Sequence, residues 1–267
     1  MHNGMKKPLI FDIKRASLND GPGVRTVIFF KGCNLNCFWC HNPEGKSPDA
    51  QIAFFAEKCM GCGNCAKVCA SPAACTVCGA CVTGCPTEAR RLYGKPYTVE
   101  ELLTAILADK PYYHATGGGV TFSGGECMLY PDFLANVAER CQKNGVSVAV
   151  DTAGNVPYAA FERVLPYTDI FLYDIKALDS ALHCRGTGVS NTLILKNLDR
   201  LQNSGKKMII RTPVIPDFNQ GEEVERIRAY CAARGLTHEL LAYHALGESK
   251  REALAAHDVF RECQPLN

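Results

Sequence analysis

The chain has 267 residues and a net charge of +2, from 29 Lys and Arg against 27 Asp and Glu, so it offers no basic footprint for nucleic acid and no acidic tail. With 47% hydrophobic residues, 23 Gly and 14 Pro it is neither disordered nor collagen-like, and it is long enough for one large domain or two small ones. Cysteine is the anomaly: there are sixteen, eleven of them between Cys33 and Cys85.

Met1 to Phe11 carries Lys6, Lys7 and Pro8 but no apolar run ending in a small-residue cleavage site. No stretch approaches the roughly 20 apolar residues that span a bilayer. The expectation is therefore a cytoplasmic protein with no membrane partner, and in a reducing compartment dense, regularly spaced cysteines hold metal rather than disulfides.

The first expected strand, Val24 to Phe30, runs into Cys33-x3-Cys37-x2-Cys40. Three thiolates on a cubic four-iron cluster leave one iron open to a substrate; a partial zinc site is the competing reading. From Glu57 to Arg90 the sequence is dense in Cys, Gly, Pro and Ala and nearly without apolar periodicity, so a core cannot hold it. We expect an inserted metal-dependent module over residues 57–90, with 1–56 and 91–267 forming the main domain. Its two runs, Cys59, Cys62, Cys65, Cys69 and Cys75, Cys78, Cys81, Cys85, share the spacing C-x2-C-x2-C-x3-C, with Pro86 after the last cysteine. That is the spacing of bacterial ferredoxins, in which the fourth cysteine ligates the neighbouring cluster; zinc on paired CxxC units is the alternative. Two clusters with exchanged fourth ligands are expected, Cys85 joining Cys59, Cys62 and Cys65, and Cys69 joining Cys75, Cys78 and Cys81. Only residues 70–74 separate the runs, fewer than a ferredoxin places there. With the first group, three clusters amount to about twelve iron atoms.

Beyond the insert, helical patterns (Thr98 to Ala108, Pro131 to Lys143, Pro157 to Leu165, Thr192 to Asn203, Glu222 to Ala233) alternate with β-rich runs. Those runs are Gly119 to Ser123, Val146 to Asp151, Asp169 to Lys176, Lys207 to Ile215 and Glu239 to His244. Thr98 and Glu101 form a capping box, and Gly145 and Gly205 stand at helix ends. Six β units, most followed by a helix, predict a parallel sheet, but the pattern does not separate an open doubly wound sheet from a barrel. In either, Ser123 to Glu126, Asp151 to Gly154, Asp174 to Lys176, Arg211 to Pro213 and His244 converge at the carboxyl ends of strands.

Cys33-x3-Cys37-x2-Cys40 with Trp39 before the last cysteine resembles the radical S-adenosylmethionine (SAM) superfamily. Asp20-Gly21-Pro22-Gly23-Val24-Arg25 and His41-Asn42-Pro43-Glu44 narrow the resemblance to activating enzymes of glycyl-radical enzymes. The ferredoxin-like insert points to the subgroup serving decarboxylases, diol dehydratases and related lyases. The resemblance covers Ile10 to about Ser249 and implies an α/β fold, an incomplete (β/α)6 TIM-type barrel with a ferredoxin-like iron-sulfur insert. It implies that Cys33, Cys37 and Cys40 hold the cluster that binds SAM, with Trp39 beside it. Ser123-Gly124-Gly125-Glu126 matches a GGE motif whose backbone and carboxylate receive the SAM ammonium. Asp151-Thr152-Ala153-Gly154 resembles DTNG, with Ala153 in place of Asn, and Asp174 and Lys176 match a D-x-K. Asp151, Thr152 and Asp174, with the Leu172 carbonyl, are then expected around a monovalent cation. Lys176 and Arg211 are expected near the SAM carboxylate, and His244, in a Y-H-x-L-G motif, near its sugar or adenine; surface salt bridges are the plain alternative for Lys176. The expected partners are a glycyl-radical enzyme as protein substrate and a flavodoxin or ferredoxin-type electron donor. Two other readings compete: a radical SAM enzyme with another substrate, and a non-enzymatic iron-sulfur electron carrier. Cys127 follows the GGE and stands near the expected site; Cys141, Cys184, Cys231 and Cys263 receive no role.

Overall fold

The computed structural model describes residues 7–70 and 75–254. In chain order the strands and helices are β1 Leu9–Ser17, β2 Arg25–Phe30, β3 Gln51–Phe54, α1 Asn64–Lys67, α2 Ala80–Thr83, β4 Arg90–Tyr93 and β5 Lys95–Pro96. They continue with α3 Val99–Leu107, α4 Lys110–Thr116, β6 Gly119–Gly124, α5 Pro131–Lys143, β7 Ser147–Thr152, α6 Tyr158–Val164 and β8 Ile170–Asp174. The remainder is α7 Ser180–Thr187, α8 Thr192–Gln202, β9 Lys207–Val214, α9 Glu222–Ala233, β10 Thr237–Ala242 and α10 Leu246–Leu254.

The main sheet runs β10-β9-β8-β7-β6-β2-β1-β5. The six strands from β10 to β2 are mutually parallel, while β1 and β5 add antiparallel to their neighbours. Among the described residues the sheet does not close on itself; β10 and β5 are its edges. The six expected β units are these six parallel strands. The antiparallel β1 was not anticipated, because Asp12, Lys14 and Arg15 interrupt its apolar alternation. Also unanticipated are α4, α7 and α10, of which α7 has little amphipathic bias because His183, Gly186 and Thr187 are themselves buried.

Alternation along the strands separates two faces. Val148, Val150, Phe171, Tyr173 and Ile210 pack with Leu134, Phe161, Ile194 and Leu198 under α5, α6 and α8 in the main core. The opposite face carries a small cluster of Ala149, Ile170, Leu172 and Ile209. Continued to the carboxyl ends, the second face places Ser123, Asp151, Asp174 and Arg211 on one concave surface. Helix α3 starts on the expected capping box, with Thr98 Oγ1 accepting from Glu101 N at 3.1 Å and Glu101 Oε2 accepting from Thr98 N at 2.7 Å.

The cysteine-rich segment hangs from a two-stranded antiparallel stem in which Gln51 to Phe54 face Tyr93 to Arg90. Within it, α1 and α2 are single turns with no buried residue. Each follows a left-handed glycine, Gly63 (φ 69°) or Gly79 (φ 81°), that directly succeeds a cysteine. The sequence repeat is thus a structural repeat, and neither copy has an apolar core of its own. Anaerobic chelation of bound metal should therefore open residues 57–90 to limited proteolysis while leaving the far-UV circular dichroism and thermal transition of the barrel in place. Cleavage spread evenly over the chain would show instead that the two parts unfold together.

Candidate active site

The site begins where β2 ends. The loop carrying Cys33, Cys37 and Cys40 is held by Cys33 N donating to Lys46 O at 3.0 Å, Asn36 N to Thr187 O at 2.7 Å and Phe38 N to Gly186 O at 3.2 Å. Lys31, completely buried, donates from Nζ to Glu44 O at 2.6 Å and to Gln51 Oε1 at 3.0 Å, bracing the loop from beneath. Leu35, Cys37, Trp39, Ala153 and Ile215 form a second small core with Phe38 and Phe218 around it. Trp39 lines the cleft but most of its ring lies against Phe218, centroids 4.4 Å apart. Burial pushes the Cys37 thiol up to about 12 and raises Cys33 and Cys40 as well. Such sulfurs lose their protons only to a metal centre that takes their charge, which is what three soft, desolvated donors on one loop fit.

The β6 end is built against this loop. Gly125 N donates to Phe30 O and Glu126 N to Gly32 O, each at 2.8 Å. A Cβ on Gly125 would lie 2.3 Å from Gly32 O and 2.4 Å from Gly45 O, so only glycine fits. Gly124 and Gly125 line the cleft, whereas Glu126 points away from it. Its buried carboxylate accepts from Thr152 Oγ1 at 2.8 Å, Ala153 N at 2.9 Å and Met128 N at 3.0 Å, and desolvation pushes it up to about 7. The resemblance expects this carboxylate at the SAM ammonium; in the structure it joins the β6 and β7 turns.

On the concave surface Asp151 accepts from Ser123 Oγ at 2.7 Å and pairs with Arg211 at 3.5 Å, while Asp174 pairs with Lys176 at 2.6 Å. Burial raises Asp151, and Arg211 opposes that rise. Burial works against the charge on Lys176 more than any one interaction favours it, but Asp174, Cys37 and Asp151 together outweigh burial and hold the ammonium above its usual range. Arg211 reaches further, donating from Nη2 to Asn19 O at 3.2 Å. Thr152, one residue out of phase with Asp151, gives its hydroxyl to Glu126. Among the described residues no three His, Cys, Asp or Glu side chains gather as a single-ion site. The two carboxylates expected around a monovalent cation face Arg211 and Lys176, so the chain itself already brings positive charge to them.

These residues enclose a cleft of about 710 Å³. His244 stands at its mouth, two residues beyond β10, with its ring 5.2 Å from that of His41. Helix α10 then folds back over the cysteine loop. Lys250 Nζ donates to His41 O at 3.0 Å, Asn42 Oδ1 at 3.2 Å and Glu44 Oε1 at 2.7 Å, and Arg251 Nη2 donates to Phe38 O at 2.6 Å. Lys31, Lys250 and Arg251 escaped the sequence reading, since a lysine or arginine outside a motif carries no signal of the carbonyl it will meet. Cys127 is fully buried behind the strands, donating to Phe122 O at 3.4 Å, and does not enter the cleft. Cys141 and Cys231 belong to the main core and Cys184 to buried α7; Cys263 lies outside the described residues.

Comparison with known proteins decides the family. The Radical SAM superfamily profile matches residues 27–231. The chain is 37% identical over 271 residues to the choline trimethylamine-lyase activating enzyme of Oleidesulfovibrio alaskensis, covering 93% of this chain and 87% of that protein. It is 38% identical over 269 residues to the (2S)-3-sulfopropanediol dehydratase activating enzyme of Klebsiella oxytoca, covering 92% and 85%. It is 37% identical over 289 residues to the indoleacetate decarboxylase activating enzyme of Tractidigestivibacter scatoligenes, covering 98% and 91%. The chain belongs to the radical SAM superfamily, among the activating enzymes of glycyl-radical enzymes. Among solved structures, Streptococcus suis SuiB bound to precursor peptide SuiA aligns with TM-score 0.55 at 14% identity, over 83% of this chain and 39% of that one. At that identity the likeness shows the α/β fold alone. Membership of this family implies a 4Fe-4S cluster and SAM for this activating enzyme.

Two outcomes test the way the loop is held. Buried His183 on α7, Nδ1 2.8 Å from Val189 O, is pushed down to about 4 by desolvation and sits in the helix that accepts from Asn36 and Phe38. The unfolded chain binds that proton more readily, so stability present above about pH 6.5 is lost as pH falls toward 4, by up to about 1.4 kcal/mol per unit. Urea denaturation at pH 7 and pH 5.5 should show this slope, and His183→Asn should flatten it. Lys250→Ala should raise the KM for SAM at least fivefold with little loss of fold, with Lys250→Arg restoring part of it; an unchanged KM would remove α10 from the site.

Proposed function

We propose that the chain reductively cleaves SAM at a cluster held by Cys33, Cys37 and Cys40, and that the radical formed activates a partner lyase of the decarboxylase or dehydratase type. The observation that carries this is the trio of desolvated thiols on one wall of a cleft whose other wall presents paired charges and glycine backbone. Cys33, Cys37 and Cys40 would hold a 4Fe-4S cluster, which would supply one electron and an open position to SAM. One-electron reduction would break the sulfonium C–S bond of SAM, giving methionine and a 5′-deoxyadenosyl radical. The radical takes one hydrogen atom from a glycine α-carbon, giving 5′-deoxyadenosine and a glycyl radical.

The chain's residues bind and orient. Gly124 and Gly125 bring bare backbone to the SAM ammonium, with Glu126 fixing that turn from behind. Lys176 and Arg211 meet the carboxylate while Asp174 and Asp151 keep them charged and aimed. His244, facing His41, takes the sugar or adenine. Apolar Leu35, Trp39, Ala153 and Ile215 keep water from the radical.

In the insert, Cys59, Cys62, Cys65 and Cys85 hold one further 4Fe-4S cluster, and Cys69, Cys75, Cys78 and Cys81 another. They relay electrons from a flavodoxin or ferredoxin-type donor. The repeated Gly63 and Gly79 turns, each opening one helical turn beside a cysteine run, support two equivalent nests.

Anaerobically reconstituted protein should contain about twelve iron atoms per chain and form 5′-deoxyadenosine with dithionite. Cys37→Ser should abolish that product and leave about eight. Cys62→Ala with Cys78→Ala should spare the dithionite reaction yet lose the reaction driven by reduced flavodoxin. Mixing wild-type protein and SAM with candidate lyases should raise a glycyl-radical doublet in electron paramagnetic resonance. Iron present without SAM cleavage would refute the reading.

A further inference from the structure

The two edges of the main sheet are not alike. At one end β5 is two residues long, Lys95 and Pro96, and a short edge ending in proline resists pairing with another chain. At the other end β10 offers six residues, Thr237 to Ala242, with neither proline nor lysine, and among the described residues it pairs only with β9. Its outer row of N–H and C=O groups runs about 20 Å, at about 3.3 Å per residue. Thr237, Glu239, Leu240 and Ala242 are exposed, and Leu240 (41%), Tyr243 (38%) and Leu246 (62%) place apolar surface along and just beyond the strand. Residues 239–244 also line the cleft that contains Cys33, Cys37 and Cys40. Leu18, just beyond β1, lines the same cleft and is 72% exposed.

We infer that the glycine-bearing segment of the partner lyase docks as an added strand on the β10 edge, with Leu240 and Tyr243 as its apolar footing. This deepens the proposed function and rests on it. The occupant follows from the chemistry. The reacting atom is a backbone α-carbon, so recognition has to bring main chain, not a side-chain tip, to the cleft. A strand edge does this through amide hydrogen bonds that ignore sequence. Extended backbone turns successive α-carbons to alternate faces, and a glycine on the inward face exposes its C–H bonds without a side chain in the way.

The test uses the intact chain and, as probe, a fifteen-residue synthetic peptide centred on the reacting glycine of whichever lyase shows the doublet. Fluorescence anisotropy should give saturable binding, and N-methylation of alternate backbone amides should weaken it at least tenfold in one of the two phases and little in the other. Leu240→Asp should lower the rate of glycyl-radical formation at least tenfold, and by at least fivefold more than it lowers 5′-deoxyadenosine formation without partner. Equal binding of all methylated peptides, or unchanged radical formation in Leu240→Asp, would overturn the assignment. So would peptide binding that appears only after truncation at residue 254, which would give the edge to the chain's own end, or a dimer abolished by Leu240→Asp, which would give it to a second copy. Loss of SAM cleavage in the wild type would instead strike the proposed function.

Discussion

The buried carboxylate of Glu126 joins the ends of β6 and β7, and much of the site is positioned by that junction. A desolvated carboxylate is costly unless its oxygens are taken up, and here Thr152, Ala153 and Met128 all donate to it. The same residue's N–H holds Gly32, just before Cys33. One residue thus sets three strand-end turns relative to one another, and an error in any of them would be felt at the cysteines. Gly125, with carbonyls closing over its missing side chain, makes the approach of β2 and β6 close enough for this to work.

Around that junction the charges are arranged in neutral pairs rather than as lone ions. Lys176 with Asp174 and Arg211 with Asp151 keep formal charge inside a mostly buried cleft at tolerable cost, because each partner removes the other's need for water. A zwitterionic ligand can then exchange partners with these groups without leaving any of them bare.

The insert follows a different physical rule. The barrel is stabilised by burying Val, Ile, Leu and Phe under helices, whereas residues 57–90 place two one-turn helices in solvent with their cysteines exposed or half-buried. Its order does not come from an apolar core of its own. The stem of β3 and β4 lets one chain contain both kinds of structure, since the strand pair ends before the first cysteine run and begins again after the last.

The sequence alone determined what depends on local spacing: the three-cysteine loop, the repeated four-cysteine runs, the capping box at Thr98, and the six parallel strands with Ser123, Asp151, Asp174 and Arg211 at their ends. Period-two alternation carries that information, because residues two apart share a face whatever the chain does next. It did not determine the antiparallel β1, whose charged residues mask its pattern, or the brace of Lys31 beneath the loop. Nor did it show that Glu126 turns behind the cleft or that Lys250 reaches His41, Asn42 and Glu44 from more than two hundred residues away. Those contacts join residues distant in sequence, and a hydrogen bond to a backbone carbonyl leaves no mark on the identity of the residue that offers it. Only the tertiary structure, by choosing which carbonyls and carboxylates become buried, decided where such side chains were needed.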